Sequence, residues 1–194
     1  MDGARLGKNC QVHTSAVVAC LPQDLKFRGE YTTAEVGDNT MIRECVTVSR
    51  GTAARGKTVV GSNVLLMAYV HIGHDCVVGN HCILANRVSL AGEVELDDWA
   101  ILGGHCAVHQ FSRIGAHVMV SGGSLISKDI PPFLTAAHNP LSYVGINSVG
   151  LRRRNFTNEQ INQIQDMCRI LFQSGHSYSH GCELVEQEIP QSPE

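Results

Sequence analysis

Residues 60–125 read VGSNVL LMAYVH IGHDCV VGNHCI LANRVS LAGEVE LDDWAI LGGHCA VHQFSR IGAHVM VSGGSL, eleven hexads in unbroken register, and Ile126 opens a twelfth. The first slot is always aliphatic: Val60, Leu66, Ile72, Val78, Leu84, Leu90, Leu96, Leu102, Val108, Ile114, Val120 and Ile126. The fifth slot is small or β-branched, running Val64, Val70, Cys76, Cys82, Val88, Val94, Ala100, Cys106, Ser112, Val118, Ser124 and Ile130. Neither the 3.6-residue period of a helix nor the two-residue period of a half-buried strand fits. A short fixed repeat is the mark of a solenoid, and a six-residue repeat that of a parallel β-helix. Each hexad makes a short strand and a corner, and three hexads close a triangular coil. Residues eighteen apart therefore stack at the spacing of neighbouring strands, roughly 4.8 Å.

The frame extends backwards. Leu6, Val12 and Val18 are in phase with Val36, Ile42 and Val48, and these with Val60. Two excursions, at 21–35 and 49–59, leave the coil and return without loss of register. Loops thrown from a regular scaffold are where binding residues concentrate, and both carry Lys and Arg that a structural corner does not need. Met1 enters the frame in mid-repeat. After Ile126 the pattern stops at Pro131-Pro132, since a Pro pair cannot continue a strand ladder. The expected organisation is a β-helix over 1–132, then a linker and helical region over 133–194. In the latter, Thr157-Asn158-Glu159-Gln160 forms a capping box, and Ile161, Ile164, Met167, Cys168 and Leu171 share one helical face as far as Ser174-Gly175. A weaker helical stretch spans 182–187, breaks at Pro190 and leaves a frayed tail.

Composition narrows the classes. With 194 residues, 43% hydrophobic and one Trp, the chain buries one sizeable core and needs no second large domain. A net charge of −3 argues against nucleic acid or an anionic membrane as the main partner. No apolar run reaches the roughly 20 residues of a membrane span. The N-terminus MDGARLGKNC lacks a signal-peptide core, so the expected address is the cytoplasm. Of the eight cysteines, Cys10, Cys76, Cys82 and Cys106 fill fifth slots and none form a C-x-x-C pair. They are expected to be small buried thiols.

Side chains outside the first and fifth slots carry the chemical information. His71 and His74 flank the inward Ile72, and Asp75 follows His74. A carboxylate beside an imidazole can fix the tautomer of a general base. By the eighteen-residue rule His74 lies under Gly92 and Asp75 under Glu93, so a Gly92 N–H could approach an oxygen reacting next to His74. Taken alone, such a pair also suits a solvated face, and the spacing does not decide between the two. His81, Trp99 and His117, eighteen apart, should form an outward stack that suits a subunit contact. His105 and His109, four apart, do not share a face on a β-helix, so no metal site is expected within one chain. The sequence leaves open one shared between chains.

Several segments resemble a known family. They are Gln23-Asp24-Leu25-Lys26 with Gly29-Glu30, Ile42-Arg43-Glu44-Cys45-Val46-Thr47 with Arg50-Gly51-Thr52, and His71-Ile72-Gly73-His74-Asp75-Cys76. With them go Gly103-Gly104, Ala107-Val108-His109-Gln110-Phe111, Gly115-Ala116-His117-Val118-Met119 and Gly145-Ile146-Asn147 leading to Gly150-Leu151-Arg152-Arg153-Arg154. Together they are similar to the UDP-N-acetylglucosamine O-acyltransferases that start lipid A synthesis, over residues 4–189.

That resemblance implies a mainly β, left-handed parallel β-helix with a short C-terminal α-helical segment, assembled as a cytoplasmic homotrimer with active sites between subunits. It implies transfer of an (R)-3-hydroxyacyl group from acyl carrier protein to the 3-hydroxyl of UDP-N-acetylglucosamine, with no metal or cofactor. His74 would be the general base, Asp75 its orienting carboxylate and Gly92 the oxyanion-hole donor. Asp24, Lys26, His71, His109, Gln110, Asn147 and Arg153 would line the sugar-nucleotide and pantetheine channel. Lys26 and Arg153 supply the fixed positive charge that a diphosphate and an acidic carrier protein need. Gly122 would lie where the acyl chain ends and leave room for a long one.

The chain departs from the family pattern at two residues, and against that pattern it is also expected to be shortened at both ends, lacking the family's first coils and part of its C-terminal helical domain. Glu93 stands where a histidine is common and Val149 where an acidic residue often contacts substrate. A carboxylate over Asp75 is expected to make one of the two hold its proton more tightly. Two other readings fit the hexads: a weakened or silent trimer that only binds carrier protein or nucleotide, and another hexapeptide enzyme. The latter could be an N-acyltransferase of the same pathway or a zinc carbonic anhydrase.

Overall fold

The computed structural model describes residues 2–189, so the expected frayed tail beyond Ile189 lies outside the described residues. Residues 2–145 form one compact unit and residues 146–189 belong to a second.

The first unit is a left-handed parallel β-helix with three faces. One face stacks Ala4–Leu6, Thr33–Val36, Lys57–Val60, Val77–Val78, Glu95–Leu96 and Arg113–Ile114. A second runs Gln11–Val12, Met41–Ile42, Leu65–Leu66, Ile83–Leu84, Ile101–Leu102, Met119–Val120, Leu134–Ala137 and Ser142–Ile146. The third stacks Val17–Cys20, Thr47–Ser49, His71–Ile72, Ser89–Leu90, Ala107–Val108 and Leu125–Ile126. The register is the expected one, with Ile72 beside Leu90 and Leu90 beside Val108.

Every first-slot residue from Val60 to Ile126 is buried, as is every fifth-slot residue from Val64 to Ile130. Sinking each aliphatic side chain contributes about 1.5–3 kcal/mol against leaving it in water. Cys76, Cys82 and Cys106 behave as expected: each thiol donates to a carbonyl fifteen residues on, at 3.0, 3.1 and 3.2 Å. Burial pushes the Cys76 and Cys82 thiols up to about 12, which leaves them inert. Cys10 is only half-buried.

The fourth slot of each hexad turns the corner in the left-handed backbone region. From Asn63 to His117 it is filled by Asn63, Tyr69, Asp75, His81, Arg87, Glu93, Trp99, His105, Phe111 and His117, all at φ between +57° and +64° except Phe111 at +68°. Non-glycine residues rarely adopt this region. Here most of these amides donate to a carbonyl of the coil beneath, as Glu93 does to His74 O and Trp99 to Asn80 O, both at 2.9 Å. The aromatic rings at one corner stack as expected, with centroids 4.0 Å apart for His81–Trp99 and 6.3 Å for Trp99–His117. Phe133 continues the column 5.6 Å from His117.

The segment read as a linker is different. Two residues after Pro132, Leu134–Ala137 pairs in parallel with Met119–Val120, so the second face carries on past the Pro pair. The compact β unit therefore ends at Gly145 rather than at residue 132.

Among the described residues the second unit holds three helices: α1 Ser148–Arg153, α2 Asn158–Gln173 and α3 Tyr178–Glu188. The capping box on α2 is present in both directions, between Thr157 and Gln160. Ile161, Ile164 and Cys168 are its buried residues. Ser177 caps α3, which begins four residues before the expected stretch. No helix among the described residues is long and apolar enough to cross a membrane.

Candidate active site

The site is built at the corner between the third and first faces. Both excursions leave the coil at this corner, in the two coils below Ile72. Above them the corner closes regularly as Gly73-His74-Asp75, Ala91-Gly92-Glu93 and His109-Gln110-Phe111. Beneath Asp75 there is no ordinary corner, only the loop 50–56. The Asp75 amide therefore donates not to a coil carbonyl but to the Thr58 hydroxyl, at 2.8 Å.

The same loop closes over the Asp75 carboxylate, which is fully buried. Oδ1 accepts from the amides of Thr52 at 2.9 Å and Arg55 at 3.2 Å. Oδ2 accepts from the Thr52 hydroxyl at 2.7 Å and lies 2.8 Å from His74 Nδ1. Burial alone would push this carboxyl up. The bonds from Thr52 and His74 outweigh it and hold Asp75 below the usual carboxylate range. An ionised Asp75 accepts from His74, so the ring carries its proton on Nδ1 and leaves Nε2 free as a base. The His74 side chain keeps 18% of its surface exposed.

Gly92 sits against that free edge. A Cβ built on Gly92 would lie 2.5 Å from both Cε1 and Nε2 of His74, so only glycine leaves the nitrogen open. Ala91 N–H donates to Val108 O at 3.1 Å and Glu93 N–H to His74 O at 2.9 Å. The Gly92 N–H between them takes no part in that ladder among the described residues. A donor and a base thus stand side by side at one open corner.

His71 precedes the corner on the third face, its Nδ1 2.7 Å from the Thr47 hydroxyl. Burial, and after it the charge on His74, lowers its pKa from the ordinary value. His109 and Gln110 are exposed one coil above Gly92, with His109 Nδ1 3.1 Å from Gln110 O. Glu93 is where the stacking rule puts it, but the expected competition with Asp75 does not raise the Asp75 carboxyl. The Arg55 guanidinium is drawn up from its ordinary value by Glu95 first, at 2.5 Å, and then by the charges of Glu93 and Asp75.

The remaining expected residues belong to other elements. In the first excursion Asp24 Oδ1 accepts from the Lys26 amide at 2.9 Å, closing a tight turn that leaves the Lys26 side chain exposed. This loop is tied to the second one through Glu30, which accepts from Ala53 N at 3.0 Å, and through Arg50, whose guanidinium lies 5.4 Å from the Phe27 ring. Gly122 is at the other edge of the third face, three coils above His71, where a Cβ would come within 2.9 Å of Gly104 O. Asn147 and Arg153 belong to the second unit. Asn147 is 8% exposed and its Oδ1 caps α1 by accepting from Gly150 N at 3.1 Å. Arg153 is exposed in the last turn of α1, the favourable end for a cation. Sequence reasoning missed Thr52, Thr58 and the Arg55 amide. The signals were that the excursion at 49–59 opens immediately beneath the histidine pair and that Arg50-Gly51-Thr52 lies among the segments of the family resemblance.

A six-repeat family described as Bacterial transferase hexapeptide matches residues 57–92, and one described as Udp N-acetylglucosamine O-acyltransferase, Domain 2, matches residues 129–194. The chain is 53% identical over 193 residues to an acyl-[acyl-carrier-protein]–UDP-N-acetylglucosamine O-acyltransferase of Chlorobaculum parvum, covering 99% of this chain and 73% of that one. It belongs to the UDP-N-acetylglucosamine O-acyltransferase family. A solved family member, the UDP-N-acetylglucosamine acyltransferase of Bacteroides fragilis, superposes with a TM-score of 0.97 at 50% identity, over 98% of this chain and 75% of that one. The Arabidopsis acyltransferase of the family superposes at 0.88 with 31% identity, over 95% of this chain and 74% of the other. The fold of the family thus holds across a wide range of sequence.

Proposed function

We infer that the protein is an acyltransferase that moves an (R)-3-hydroxyacyl group from acyl carrier protein to the 3-hydroxyl of UDP-N-acetylglucosamine, the first step of lipid A biosynthesis. Family membership supports the reaction. The observation that carries the mechanism is His74, proton on Nδ1 toward Asp75 and Nε2 open beside Gly92.

In the proposed chemistry, Nε2 of His74 takes the proton of the sugar 3-hydroxyl as its oxygen attacks the thioester carbonyl carbon. The carbonyl electrons move onto oxygen, and the Gly92 N–H donates to the oxyanion. When the intermediate collapses, the C–S bond breaks, the ester remains, and the His74 imidazolium returns its proton to the pantetheine sulfur. Asp75 stabilises the imidazolium and stays ionised throughout. His71, lowered by burial, is a neutral ring suited to hydrogen-bond the substrates. Asp24, Lys26, Glu93, His109, Gln110, Asn147 and Arg153 are proposed to bind them, with Gly122 at the end of the acyl groove.

The active assembly is proposed to be a homotrimer, with the aromatic column of His81, Trp99 and His117 at a subunit contact. A cytoplasmic address is proposed with it, as the family resemblance implies. The test is to incubate the purified protein with (R)-3-hydroxyacyl carrier protein and UDP-N-acetylglucosamine and to detect the acylated sugar nucleotide by mass. Product that disappears in His74→Ala supports the reading. No product from the wild type, with both substrates intact, rejects it.

A further inference from the structure

We propose that Thr52 is a positioning residue for this reaction: its hydroxyl and amide aim the Asp75 carboxylate at His74 and so decide which ring nitrogen faces the substrate. The inference rests on the acyl-transfer reading above.

Thr52 lies 23 positions before Asp75 and is 6% exposed, in a loop that the hexad scaffold does not require. Its hydroxyl has one available orientation. Oγ1 accepts from the Ala54 amide at 3.2 Å, so its proton is directed to Asp75 Oδ2 at 2.7 Å. Its amide is shared by both carboxylate oxygens, at 2.9 and 3.1 Å. Its carbonyl is held in turn by Gly56 N–H at 2.7 Å. Every polar group of Thr52 is thus committed, and the carboxylate cannot rotate without breaking several bonds at once. That leaves Oδ2 facing His74 Nδ1 at 2.8 Å, the acceptor that the imidazole finds among the described residues. Without the hydroxyl donor, buried Asp75 would be easier to protonate, and a neutral carboxyl no longer dictates the tautomer.

Other charges face the pair. Arg55 comes from the loop itself, Glu93 from the coil above, His71 from the strand before, and the Cys76 thiol follows on the chain. None of these replaces the Thr52 hydroxyl, because none donates to Oδ2.

The test compares Thr52→Val, which removes the hydroxyl, with Thr52→Ser, which keeps it, and Thr52→Ala as a second deletion should Val fail to fold. Two readouts are taken: the pH dependence of kcat, and NMR titration of the Asp75 carboxyl carbon and His74 ring nitrogens in resting protein. In Thr52→Val kcat should fall about ten- to a hundredfold, the range expected for one hydrogen bond to a charged group. KM should hold, the acidic limb of the profile should move to higher pH, and the Asp75 carboxyl should titrate at higher pH. Thr52→Ser should restore all three. A loss of kcat by the same factor at every pH, with the Asp75 titration unmoved, would mean that Thr52 only supports the loop and would overturn the proposal. So would a Val or Ala variant with wild-type kcat and an unmoved acidic limb. If the wild type itself makes no product, the reaction assignment fails, while the NMR titration still decides whether Thr52 governs the pair.

Discussion

Nδ1 of His74 stands 2.8 Å from Oδ2 of Asp75, and Asp75 is fully buried while His74 keeps one edge open. Replacing His74 by Ala should therefore lower kcat by roughly 10²–10⁴-fold, the usual range for a lost general base. The imidazole is outside the inward slots, so the thermal midpoint should shift little. Turnover and a melting curve on the same preparation check both halves; near-normal turnover would remove His74 from the chemistry.

Gly92→Ala and Leu90→Asp, two residues apart, should fail in opposite ways. The Ala methyl would push against His74 Cε1 and Nε2, displacing the ring and costing on the order of a hundredfold in kcat in a folded protein. Asp at position 90 would put a charge into a fully buried slot and should prevent folding. Circular dichroism beside an activity assay separates them.

Glu93 tests the electrostatics of the corner. Its charge acts on Arg55, whose guanidinium also faces Asp75. Glu93→Gln should then leave the acidic limb of the kcat profile in place. A limb that moved to lower pH would show Glu93 acting on His74 directly, as the stacking rule alone suggests.

Stability should depend on pH through His71 first. Its folded-state pKa is lowered from 6.5 by burial, so below that pH the unfolded chain binds the proton more readily than the folded one. Its contribution is fully present above about 6.5 and is lost as the pH falls toward the folded value. Asp75, also lowered, adds a second loss that begins below its ordinary 3.8. His71→Gln should flatten the first decline and leave the second, as read from urea midpoints across the neutral to acidic range.

Gly122→Met should shift acyl preference toward shorter chains, because a side chain there would occupy the proposed end of the groove. Since a Cβ would come 2.9 Å from Gly104 O, some loss of thermal stability should accompany the change. Competition between carrier proteins loaded with different acyl chains measures the first effect, and an unchanged profile would place the chain end elsewhere.

The coil was legible because its core is written in residue type: an aliphatic side chain in every first slot of the unbroken run has no competing explanation. The vertical placement of Gly92 over His74 followed from counting eighteen. Counting fails where the chain leaves the scaffold, because a loop has no period, and so Thr52 could not be assigned to Asp75. The left-handed corners were hidden for a related reason. Their slot holds Asn, Tyr, Asp, His, Arg, Glu, Trp and Phe, which share no chemistry that a pattern can register. Pro131-Pro132 was misleading because it stops a ladder only at its own positions, and Leu134–Ala137 resumes pairing directly afterwards. Helix α1 was missed because six residues with Gly150 inside carry no helical period.

Those corner residues have a consequence for how such a molecule changes over time. Between Asn63 and His117 the fourth slot accepts acids, bases, amides and aromatic rings, yet no Val, Ile, Thr or Pro. A side chain branched at Cβ resists this backbone region and proline is barred from it. The corners therefore work as interchangeable sockets on a fixed rack. A new charge or ring can be fitted at one level without disturbing the dry interior, and its neighbours above and below are known in advance, eighteen residues away.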